Sequence, residues 1–164
     1  MMNIVILQWG LFSFMVGLVL SLPLAAVHYQ KNPLLRKTFT NPKKLKSAHI
    51  DYFMQALSAG LVYLIGICMD MEFPKYIALP LIYGIIMNPT ILLLEATPFI
   101  RSGWSRFTYM FLRATSPLLL LFGWFAIAVL FLPTYLIIVL IIVIIVGGAV
   151  LWSQQVQKKN TVHM

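Results

Sequence analysis

The chain is predicted to be an all-α integral membrane protein, a bundle of four transmembrane helices with a fifth if Pro133 turns a hairpin. Three observations predict this. Of 164 residues, 61% are hydrophobic and 10% charged, where soluble domains carry about 25% charge. The apolar residues run in blocks rather than at amphipathic spacing, and several blocks reach the roughly 20 residues a helix needs to cross a hydrocarbon core. A transmembrane β-barrel would alternate apolar and polar residues in segments of about ten, and here the runs are continuous.

The first span is expected from about Ile4 to Val27. His28 to Lys46 then forms a basic loop holding Lys31, Arg36, Lys37, Lys43, Lys44 and Lys46, with Pro33 and Pro42 interrupting any helix. Basic residues beside spans mark the cytoplasmic face, so this loop is expected inside and the N-terminus outside a cell membrane. The second span, residues 47–69, leads to a short segment with Asp70, Glu72 and Lys75 that lacks basic excess. A third span at 76–96 precedes Arg101, Arg106 and Arg113, which return the chain to the basic side. From Ser116 to Trp152 the chain is almost uninterruptedly apolar, too long for one helix across a bilayer, so Pro133 must kink it or turn a hairpin, with Lys158 and Lys159 following. The whole is read as one helical domain.

The net charge of +8 is explained by these membrane-flanking loops, which argues against nucleic acid as a partner and for the lipid bilayer. Cys68 is the only cysteine, so one chain builds neither a disulfide nor a thiolate metal cluster.

Polar side chains in spans are costly unless paired or coordinated, and are the candidates for function. At 100° per residue, His49 shares a face with Tyr52, Phe53, Ala56, Gly60 and Tyr63, while Asp51 and Gln55 lie together on another flank. Ala56 and Gly60 are a small-xxx-small pair that admits a neighbouring helix or a flat ligand. Asp51 and Gln55 have the spacing for a local hydrogen bond, and Asp51 could equally be solvated or paired with a loop lysine. In the third span Gly84, Asn88, Ile91 and Glu95 form one stripe, with Tyr83 on an adjoining side. Pro89 frees the Ile85 carbonyl beside Asn88, which suits either a pocket or an interhelical hydrogen bond. His49 has three roles open to it: a metal or haem ligand, a proton-transfer group, or an interfacial histidine bonded to water.

Ala48-His49, followed six residues after the histidine by Gln55-Ala56, and then Tyr83-Gly84 with Asn88, resembles the styrene oxide isomerases and hydroxylaminobenzene mutases. Those small membrane proteins carry Asn-Gly where Gln55-Ala56 stands, and the overlap runs from about Trp9 to Glu95. The resemblance implies a four-helix, oligomeric isomerase with haem b bound by His49. Its iron acts as a Lewis acid on a small apolar epoxide or hydroxylamine-type substrate. By the same resemblance Gln55, Asn88 and Tyr83 are the candidate catalytic residues, and Tyr52, Ala56 and Gly60 line the cofactor beside His49. A non-enzymatic membrane subunit or scaffold is the alternative, and a small transporter the third reading, though no internal repeat of broken helices is evident.

Overall fold

A computed structural model describes residues 2–29, 33–100 and 104–162, and among them every regular element is helical. The order is α1 (Met2–His28), α2 (Pro33–Thr38), α3 (Pro42–Cys68), α4 (Lys75–Ala96), a single 3-10 turn at Pro98–Ile100, α5 (Trp104–Phe131) and α6 (Thr134–Val162). Four helices, α1, α3, α4 and the Ser105–Phe131 stretch of α5, are long and apolar enough to cross a membrane. The protein is therefore an all-α multi-pass membrane protein. Of the basic residues expected to flank the spans, Lys31 and Arg101 lie outside the described residues, as do the side chains of Lys158 and Lys159.

Three boundaries differ from the sequence expectation. Pro42 starts α3 rather than interrupting it: proline suits the first turn, where its missing N–H has no intrahelical partner to lose. Asn41 caps that turn by accepting from the Lys44 N–H at 3.2 Å. The Pro33 end of the loop likewise opens a helix, the short α2. Finally, α5 begins at Trp104, well before Ser116, and stops at Phe131, so the long apolar stretch is two helices broken at Leu132 and Pro133. Pro133 forms the restart, its carbonyl accepting from the Leu136 N–H at 2.9 Å.

The chain divides into two compact units, Met1–Trp124 and Phe125–Met164. In the first, the buried residues of α1 are Asn3, Ile6, Gly10, Ser13, Gly17, Leu20 and Val27, and those of α3 are Leu45, Ala48, Tyr52, Gln55, Ala59, Val62 and Gly66. Both sets repeat at alternating steps of three and four, the a/d pattern of helices packed as in a left-handed coiled coil. Close approach is what the small residues provide. A Cβ built on Gly10 would stand 2.6 Å from the Ala59 Cβ, so only glycine fits there. Ser13 Oγ donates to the Tyr52 carbonyl at 2.9 Å, linking α1 to α3 again.

α4 lies against α1 and α3 on one side and α5 on another. Its Gly84 meets Leu120 of α5, where an added Cβ would come within 2.5 Å of the Leu120 Cβ. Leu81 packs against Gly123, and Glu95 accepts from the Tyr109 hydroxyl at 2.6 Å, so α4 and α5 run antiparallel in one continuous register. Leu20, Leu45, Tyr52 and Ala96 close the core at the basic end, with Val16, Leu24, Phe39 and Leu93 packed around them. In the second unit the apolar side chains of α6 from Ile141 to Val146 are exposed, as expected of residues meeting lipid or another helix rather than a core.

Candidate functional site around His49

α3 positions His49 half-buried beside α1. Its Nδ1 lies 2.8 Å from the Gly17 carbonyl. A carbonyl only accepts, so Nδ1 is the donor, and in the neutral imidazole Nε2 then carries the free lone pair. Phe53 packs edge-on against the imidazole at 4.9 Å between ring centroids, and Phe14 against Phe53 at 5.1 Å. Gly17 permits this: a Cβ there would sit 3.3 Å from the Phe53 ring. The histidine is thus held by a backbone acceptor and an aromatic stack, with one nitrogen left for a ligand.

The residues grouped with His49 from the sequence do not all stay beside it. Tyr52 is buried and reaches α4, its hydroxyl donating to Thr90 Oγ1 at 2.8 Å, since Thr90 itself donates to the Ile86 carbonyl. The Ala56 carbonyl lies under Gly10, so the neighbouring helix admitted by the small-residue face is α1. Gly60 is the member with open space, as a Cβ built there meets nothing within 4 Å.

Gln55 is buried on the other flank of α3, as its spacing from His49 predicts, and donates to Asp51 Oδ1 at 3.3 Å. Lys44, expected in the loop but placed on the first turn of α3, forms its ion pair with Glu95 and not with Asp51. Glu95 also holds Tyr109, itself hydrogen-bonded by Arg113 at 3.2 Å. Tyr83 donates to Thr115 Oγ1 at 2.8 Å, because that threonine donates to the Phe111 carbonyl. Asn88 is half-buried on the α4 stripe that faces α5. His49 is therefore not gathered with Gln55, Asn88 and Tyr83 into one constellation.

The described cavity is an apolar groove of about 580 Å³ lined by Val5 and Trp9 of α1, Leu79, Tyr83 and Met87 of α4 and Leu119 of α5, among others. His49 is not on its wall. As a test of haem binding, the donor is right in kind, one oriented imidazole with a free Nε2, while the open space at Gly60 lies eleven residues, about 16 Å, further along α3. The His49 face offers one wall only. Among the described residues no cluster of three or more His, Cys, Asp or Glu side chains forms a multi-ligand metal centre.

Sequence reading missed the contacts that use small polar groups: Asn3, Ser13, Thr90 and Thr115. Asn3 Nδ2 donates to the Met71 carbonyl at 2.8 Å while its Oδ1 accepts from the Phe73 N–H at 3.0 Å, fixing the α3–α4 connection to the start of α1. Its signal was available, as a lone amide at the edge of an apolar run. No family, curated protein or solved structure matches this chain.

Proposed function

We propose that this multi-pass membrane protein is a haem-b-dependent isomerase of small apolar epoxide or hydroxylamine-type substrates, with His49 as the residue that would hold the haem iron. The observation that carries the reading is the His49 Nδ1 to Gly17 carbonyl bond at 2.8 Å. Ligating histidines characteristically give their second nitrogen to a backbone carbonyl or carboxylate, which fixes ring direction and makes the free nitrogen a better donor. When bound, haem iron would supply Lewis-acid polarisation of the substrate oxygen.

The chain's own residues do the rest. Gly17 and Phe53 hold the imidazole in one orientation, and the apolar surroundings exclude competing water. Since one chain supplies one wall, the second would come from another copy, in line with a homo-oligomer. Gln55 and Tyr83 are engaged on other faces, Asn88 lies on the α4 stripe toward α5, and this reading gives them no contact with the group on His49. The basic connection between α1 and α3 is placed in the cytoplasm of the cell by the positive-inside rule.

The test is the absorption spectrum of protein purified in detergent with haem supplied, for wild type and His49→Ala. A Soret band in the wild type that is lost or strongly shifted in the variant is expected. Absence of any band sinks the cofactor, and an unchanged band in His49→Ala sinks the ligand assignment. The second reading, a non-enzymatic packing subunit, is favoured by the filled α1–α3 seam at Gly10 and Ala59. It predicts no haem uptake and co-purification with another membrane protein.

A further inference from the structure

Among the described residues two buried side-chain atoms have no hydrogen-bond partner, Asp51 Oδ2 and Ser116 Oγ. They are on different helices, α3 and α5, yet helical register brings them to one level. Glu95 of α4 contacts both flanking helices at once, Lys44 of α3 and Tyr109 of α5. One heptad further into each helix lie Asp51 from Lys44, Asn88 from Glu95 and Ser116 from Tyr109. A heptad returns a helix to within about 20° of the same face and advances it by about 10 Å. The register is continuous on the α4–α5 side, since Gly84 with Leu120 and Leu81 with Gly123 follow the same antiparallel pairing. Asp51, Asn88 and Ser116 are therefore one layer inward from the Lys44 ion pair, with Gln55 attached through Asp51 Oδ1.

The layer holds a carboxylate with one oxygen unengaged, a fully buried hydroxyl and an amide carbonyl. Pro89 lacks the N–H that would take up the Ile85 carbonyl, which leaves a fourth oxygen within a turn of Asn88. The basic group nearest in sequence on that flank, Lys44, is committed to Glu95. An unpaired carboxylate in a span keeps its charge only with a positive partner and otherwise takes up a proton, and the oxygens gathered here are the ligands of hard cations. With a single carboxylate the charge matches a monovalent ion.

We propose that Asp51, Asn88 and Ser116 form an intramembrane site for a small monovalent cation, sodium, between α3, α4 and α5. It goes beyond the haem reading and lies on the opposite flank of α3 from the His49 face. The test uses the full chain purified in detergent, with sodium chloride exchanged for choline chloride at constant ionic strength. Thermal unfolding should shift upward and saturate with sodium. Equilibrium binding of radioactive sodium should saturate near one ion per chain. Asp51→Asn should abolish the response, and Ser116→Ala should weaken sodium binding at least tenfold. Unfolding indifferent to sodium, no saturable uptake by the wild type, or a full response kept by Asp51→Asn would each overturn the site. Should Asp51→Asn not fold, the wild-type and Ser116→Ala isotherms decide, and equal affinities in these two overturn it.

Discussion

Asn3 shows how much one small amide does when water is absent. Its oxygen and nitrogen are both used, by the Phe73 N–H and the Met71 carbonyl, and Phe73 is 1% exposed. Truncating it removes the side-chain acceptor of the Phe73 N–H and the donor to the Met71 carbonyl at a buried position, where such losses are costly. Asn3→Ala should therefore destabilise the protein by about 1–3 kcal/mol, read as a lowered unfolding midpoint in detergent. Protease should also cut faster in the connection after Cys68. An unchanged midpoint would show that the clamp contributes nothing. Asp70, at φ 47° in that connection, adopts the left-handed conformation that aspartate tolerates better than most residues, so the turn itself adds only a modest strain.

At the scale of elements, the two glycines facing opposite ways on the α1–α3 pair make opposed predictions. Gly10→Leu must push α1 off Ala59, at a cost of about 1–3 kcal/mol or more as over-packing. Gly60→Leu meets open space and should change stability by no more than about 0.5 kcal/mol. Equal thermal shifts for the two would refute the packing of this seam. The four long helices were legible because a bilayer is the one solvent in which apolar runs of span length are stable as single helices. Which face each helix buries was not. In lipid a leucine gains little by being inside, so apolar character stops reporting burial, and the seam is written in Gly10, Ser13, Gly17 and Ala59 instead. The a/d spacing of those small residues was there to be found. The start of α5 was missed for a related reason: Arg106 and Arg113 read as loop, yet both stand on its first turns.

At the scale of the whole molecule, charge and a single thiol make the topology testable. Arg36, Lys37, Lys43 and Lys46 are exposed at one end, and Cys68 is free and exposed at the far end of α3. With the basic end cytoplasmic, a membrane-impermeant maleimide should label Cys68 in intact cells and fail on Cys68→Ser. Labelling that requires permeabilised cells would reverse the orientation. The candidate site was only partly readable at this scale. His49 and the Asp51–Gln55 pair follow from spacing within α3, but Ser116 became visible only through the pairing of α4 with α5, which no single helix encodes. The Asn3 clamp also has a consequence in time. Synthesis delivers Asn3 first and its partners Met71 and Phe73 much later, at separations of 68 and 70 positions. The first helix must therefore wait in the bilayer with its amide unsatisfied, and its depth becomes fixed only when the α3–α4 connection has been made.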